Sequence, residues 1–398
     1  MTQLMNPRRA LLKVGYRCNN NCVFCHAAPH RGHDAGTDEL KRKIVQASRL
    51  GADCLVLSGG EATIRPDLLR LAETVVEAGM DLGLVSNGRM LSYGSLLDEL
   101  MARRFRYLHL TLASPDPDLH DQMVRAPAFE QSMKALVQAR AMGVETTLNM
   151  LVSRPALPSL LRTVELLEVC RPSYLKFSLI EPEGPVLDDF DGLVPGLDEA
   201  AHACREAMEK IHASYPEQLV VQDAFPACFV ESGTMQRSLR EDGFAWMTEA
   251  FEADWHPIDE AHRDFAPPCD ACSWRRRCRG VYRSYLVRRG HAELKPRIEA
   301  VSNSFNLAPL TEPEDFDLRR CPIRQGLRPT VDPVRELLTP VQGGLAQRHR
   351  VLGEDFSDPS LRLARETGRL MLDLSGGGFL EDLAQEVRPL LQAKTCRR

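Results

Sequence analysis

Apolar positions in the first half of the chain fall into short runs: ALLKVGY from Ala10, CLVLS from Cys54, LGLVS from Leu82, RYLHLTL from Arg106, ETTLNMLV from Glu145 and SYLKFSLI from Ser173. Runs this short, bounded by turn-forming and polar residues, read as strands buried on both faces. Between them, PDLLRLAETVVEAG and FEQSMKALVQARAMG space their apolar residues as helices do. Each ends in Gly, the residue that most readily takes the left-handed cap of a helix. A repeated βα unit predicts an α/β fold with a parallel sheet covered by helices. In such sheets the functional residues gather at the C-terminal ends of the strands.

The rhythm stops after Ile180. EPEGPVLDDFDGLVPG reads as a connector, and a helix is predicted from Leu197 to Ala213. Residues 214–325 show no βα alternation and hold Cys228, Cys269, Cys272, Cys278 and Cys321, which suggests a second domain built around metal. Residues 326–398 read as a mostly helical tail with a turn at 375–379. The expected organisation is a core over 8–185, a connector and cysteine-rich domain over 186–325, and the tail.

Composition narrows the function classes. Hydrophobic residues make up 43% of the 398 and charged residues 26%, the balance of a globular protein. The net charge of −5 argues against nucleic acid and against anionic membranes as partners. No stretch approaches the ~18 apolar residues of a membrane span, and the N-terminus lacks a signal-peptide core. The expected compartment is the cytoplasm.

Twelve cysteines would carry little information if they were dispersed, but six of them are clustered. In a reducing compartment, clusters point to metal rather than disulfides. Cys18, Cys22 and Cys25 directly follow the first strand as Cys-x3-Cys-x2-Cys. A structural zinc takes four ligands, and His26 is available as the fourth. A [4Fe–4S] cube held by three thiolates keeps one iron open, as a catalytic site requires.

Cys18-x3-Cys22-x2-Cys25, with Phe24 before the third cysteine, resembles the radical S-adenosylmethionine (SAM) enzymes. Other segments match in order at later strand ends. Ser58-Gly59-Gly60-Glu61-Ala62 is similar to the family's GGEP, with Ala62 in place of Pro. Ser86-Asn87-Gly88 is similar to its S/T-N-G. TLASPDPDLHDQMVR resembles its S-x-D/H-G…H-D…R, with Thr111 and Ser114 as departures. The resemblance implies that Gly59, Gly60 and Glu61 meet the SAM amino group. It implies that Arg125 pairs with the SAM carboxylate and that Ser86, Asn87, Thr111 and Asn149 line the cofactor site. It further implies a partial (β/α)6 radical SAM barrel. There the reduced cluster cleaves SAM to a 5′-deoxyadenosyl radical that abstracts hydrogen from substrate. An electron donor such as flavodoxin or ferredoxin would supply the electron.

Cys269-x2-Cys272-x5-Cys278 resembles the core of the SPASM and twitch extensions, which carry auxiliary [4Fe–4S] clusters. Tyr282 stands where the full SPASM pattern has another cysteine, so one auxiliary cluster is expected rather than two. Cys228 is the first choice for its fourth ligand, Cys321 the second, and a four-cysteine zinc knuckle the alternative. Arg275, Arg276, Arg277 and Arg279 crowd this loop. A peptide substrate is expected, with a small molecule as the alternative. With 17 residues ahead of Cys18, no peptide-recognition domain is expected before the barrel. The reading from another class is a non-catalytic zinc protein.

Overall fold

The computed structural model describes residues 8–230, 244–257 and 262–298, together with 363–364 and 371–372. The chain divides into two compact units, residues 1–296 and 297–398.

All six expected strands form: β1 (Arg9–Lys13), β2 (Cys54–Ser58), β3 (Asp81–Ser86), β4 (Phe105–Leu112), β5 (Glu145–Val152) and β6 (Tyr174–Leu179). Helices α1 (Thr37–Arg49), α2 (Leu68–Glu77), α3 (Gly94–Met101), α4 (Pro117–Val124), α5 (Phe129–Ala141) and α6 (Thr163–Val169) cross between them. After the short α7 (Phe190–Leu193), α8 (Leu197–Ser214) matches the predicted helix. Neighbouring strands pair in parallel in sequence order, and the fold is α/β as expected.

The sheet is wider than six strands. β7 (Val220–Asp223) pairs in parallel beside β6, and β8 (Phe244–Thr248) pairs in parallel with the other edge, at β1. β9 (His256–Pro257) then runs antiparallel to β8. The order is β7-β6-β5-β4-β3-β2-β1-β8-β9, with no pairing across the ends among the described residues. All three additions come from the stretch that lacked βα alternation. The long connector before α8 hides the fact that β6, α8 and β7 continue the crossover rhythm.

The two faces of the sheet differ. Leu12, Leu57, Leu84, Leu110, Met150 and Phe177 have no more than trace exposure and pack in the main core against the helices. Each such side chain contributes about 2 kcal/mol by leaving water. The opposite face carries a small apolar cluster that begins at the strand N-termini, in which Cys54, Val56 and Tyr107 meet Leu11, Val85 and Phe244. Arg9 spans this end: its guanidinium pairs with Glu145 at 2.7 Å and lies 3.9 Å from the Tyr107 ring centroid. Towards the strand C-termini the face turns polar, with Lys13, Thr111, Asn149, Lys176 and Ser178.

The helical tail expected over 326–398 lies outside the described residues, apart from Leu363–Ala364, which pair antiparallel with Met371–Leu372. Cys321 also lies outside them. Among the described residues no helix is long and apolar enough to cross a membrane.

Candidate functional site

The loop carrying Cys18, Cys22 and Cys25 leaves β1 at its C-terminal end, where a parallel sheet places its functional groups. Backbone ties fix its path. Asn21 N–H donates to Val124 O at 3.0 Å and Val23 N–H to Met123 O at 2.9 Å, which lays the loop along the end of α4. The Asn87 side-chain amide donates to Asn19 Oδ1 at 2.7 Å and lies 3.9 Å from Cys18 Sγ. Arg89 donates to Asn19 O at 2.5 Å and to Asn20 Oδ1 at 3.0 Å. Arg89 escaped the sequence reading, although it stands directly after Ser86-Asn87-Gly88.

The diglycine after β2 serves this loop. Gly60 N–H donates to Gly15 O and Glu61 N–H to Arg17 O, both at 2.8 Å. A Cβ on Gly59, whose φ is +123°, would stand 2.0 Å from Gly15 O, and one on Gly60 would stand 2.2 Å from Arg17 O. The approach of residues 15–17, the root of the cysteine loop, therefore demands glycine at both positions.

Glu61 is buried and fully engaged. Its carboxylate accepts from Thr63 N–H and Thr63 Oγ1, from Ser86 Oγ at 3.0 Å and from Asn87 N–H at 2.8 Å. Burial raises its pKa against the pull of those bonds. The structure thus brings Glu61, Ser86 and Asn87 together beneath the cysteine loop. Thr111 and Asn149 are register partners on β4 and β5, 3.3 Å apart through their polar atoms, and Ser178 Oγ donates to Asn149 at 2.5 Å. Arg125 is exposed, with φ of +55° at the end of α4. His120 and Asp121 of the same motif do structural work: His120 Nδ1 accepts from Ala113 N–H, and Asp121 accepts from Ala128 and Phe129 N–H. Phe24 is half-buried against the core, and the His26 ring faces Glu181 at 3.6 Å.

The three cysteines are unpaired. Burial pushes the Cys22 thiol up to about 12 and raises that of Cys18. A metal taken up here must displace thiol protons, as cluster assembly does. Among the described residues no three His, Cys, Asp or Glu side chains surround one ion position. A cube puts each thiolate on its own iron. Three unpaired cysteines on one short loop fit the cube.

The second cysteine set also converges. Cys228, Cys269, Cys272 and Cys278 line one small hollow together with Phe265 and Leu294. Cys228, the first choice from the sequence, thus stands with the three clustered cysteines despite its separation from them in the chain. The Cys278 sulfur accepts from Ala227 N–H at 3.2 Å and from Gly280 N–H at 3.3 Å. Burial raises the Cys228 thiol to about 11. Arg275 pairs with Asp270, and Trp274, Tyr282 and Tyr285 are buried, as core residues should be.

Known proteins share parts of this arrangement. Residues 12–156 match the radical SAM superfamily. The AdoMet-dependent heme synthase of Methanosarcina barkeri is 30% identical over 164 residues, 40% of this chain and 47% of that protein. The PqqA peptide cyclase of Ruegeria pomeroyi is 27% identical over 261 residues, 63% of this chain and 70% of that protein. The chain therefore spans about half the length of the first relative and more of the second. The crystal structure of Streptococcus suis SuiB bound to S-adenosylmethionine superposes with a TM-score of 0.50 at 14% identity, over 64% of this chain and 60% of that one. At that identity the likeness is one of fold.

Proposed function

Residues 12–156 belong to the radical SAM superfamily, and from that premise we propose that this chain is a peptide-modifying radical SAM enzyme with one auxiliary iron–sulfur cluster. The observation that carries the reading is the anchoring of the Cys18–Cys25 loop, at the C-terminal end of the sheet, to Asn87, Arg89 and the Glu61–Ser86 pair. Cys18, Cys22 and Cys25 would hold a [4Fe–4S] cluster with SAM, which supplies a 5′-deoxyadenosyl radical for hydrogen abstraction. The chain's own contribution is placement. Thr111, Asn149 and Ser178 offer a linked row of hydrogen-bonding groups on the polar face of the sheet. Arg125, exposed at the end of α4 beside the loop, is a bidentate partner for a carboxylate.

Cys228, Cys269, Cys272 and Cys278 supply the auxiliary site. In this reading residues 8–185 generate the radical, 186–325 form a SPASM/twitch-like segment, and 326–398 are a tail. A flavodoxin- or ferredoxin-like donor reduces the first cluster, and the setting is cytoplasmic. The match to the peptide cyclase covers more of this chain than the match to the heme synthase, and this favours a peptide over a small molecule.

The test is anaerobic reconstitution of the full chain, and then reduction in the presence of SAM. About eight iron per chain and release of 5′-deoxyadenosine are expected. Cys22→Ala should abolish the release and leave about four iron on the auxiliary site. Zinc without iron would overturn the enzymatic reading.

A further inference from the structure

Lys176 on β6, Asp223 at the end of β7 and Arg279, the residue after Cys278, form one chain of contacts that the motifs do not contain. Lys176 Nζ lies 2.8 Å from one Asp223 carboxylate oxygen, and Arg279 Nη1 lies 2.7 Å from the other. Lys176 is buried, and the Asp223 side chain is only 20% exposed. Arg263 adds a third cation nearby: it donates to Ala224 O at 3.1 Å, and its guanidinium lies 4.2 Å from the Tyr282 ring centroid.

The location gives the set its meaning. Lys176 is the register partner of Asn149, which is the register partner of Thr111. One row across β4, β5 and β6 therefore runs from the proposed SAM-binding groups to Lys176, and the Asp223 ion pairs carry it on to the second cysteine loop. At its far end the two walls of the four-cysteine hollow meet. Ala227, beside Cys228, and Gly280 both donate to the Cys278 sulfur, and the Asp223–Arg279 pair joins the same two segments. An ion pair removed from water is costly unless something holds it in place. Here both carboxylate oxygens are used, one towards the sheet and one towards the cysteine loop.

We propose that Asp223 is a positioning residue that fastens the Cys269–Cys278 loop to the sheet through Arg279 and, by offsetting the Arg279 charge, sets the reduction potential of the auxiliary centre. This rests on the auxiliary-cluster reading above. Burial would push the Asp223 carboxyl up, but Lys176 and Arg279 outweigh it and keep the group ionised. Reduction adds negative charge to a cluster, so a nearby cation raises the potential and a nearby anion lowers it.

The test uses the full-length chain carrying Cys18→Ala, Cys22→Ala and Cys25→Ala, so that only the auxiliary centre remains after anaerobic reconstitution. Its midpoint is read by an electron paramagnetic resonance redox titration. Asp223→Asn should raise the midpoint, Arg279→Gln should lower it, and Arg279→Lys should stay near the parent. Equal or same-direction shifts, or none, in variants that retain iron would overturn the inference. If Asp223→Asn binds no iron, the contrast between Arg279→Gln and Arg279→Lys decides: a lowered midpoint for Gln alone supports the proposal, and matching midpoints overturn it. Absence of iron from the parent would overturn the auxiliary-cluster reading itself, and the inference with it.

Discussion

Individual side chains in this protein do work that their motifs do not reveal. The space that a Cβ on Gly60 would need is occupied by the backbone at residues 16 and 17. Gly60→Ala should therefore push the cysteine loop off the sheet. Iron bound to the first site should fall at least several-fold while the circular-dichroism spectrum stays that of the parent; full iron retention would refute this role. His120 is likewise internal. Its Nδ1 accepts from Ala113 N–H, its Nε2 is buried without a hydrogen-bond partner, and burial depresses its pKa to about 4. The unfolded chain takes up a proton on this ring near pH 6.5, and the folded chain only near 4. The stability due to the neutral ring is thus intact above pH 6.5, declines as pH falls from 6.5 to 4, and levels off below that. The span is worth about 3 kcal/mol. His120→Phe should flatten that part of a plot of unfolding midpoint against pH.

Elements were legible where they repeat and obscure where they do not. The six strands and α8 are written in apolar runs and helical spacing, because a buried parallel strand must be apolar along its length. β8 had no such signature: it is one short strand between β1 and β9, and its contribution comes from Glu249, the residue directly after it. Glu249 pairs with Lys13 at 2.5 Å and with the Tyr16 hydroxyl, and its carbonyl accepts from Lys43. The end of β8 thereby braces β1 just before Cys18. Glu249→Gln leaves Lys13 without its anion in a partly buried setting, at a cost of about 1–3 kcal/mol. The urea midpoint and the iron content of the first site should fall together; a change in neither would mean that β8 does not brace the loop. In the core, Leu110→Ala should cost about 2–5 kcal/mol by urea unfolding, since this side chain is wholly buried between β4 and the helices.

For the molecule as a whole, the prediction is one of stoichiometry. Removing both cysteine sets should take the reconstituted chain from about eight iron to none, and removing either set should leave about four. Simultaneous loss of all iron from either single set would mean that the two sites are not independent. The sequence by itself determined the α/β class, the six-stranded frame, the cysteine loop after β1 and the order of the segments that surround it. These are local properties: hydrophobic period, turn chemistry and ligand spacing act over a few residues. Only the tertiary structure decided which distant segments meet. It added β7 at one end of the sheet and β8 and β9 at the other, packed the diglycine against residues 15–17, and joined Lys176 and Arg279 through Asp223. Such meetings are set by packing and by the compensation of buried charge across large sequence separations, and no spacing rule records them.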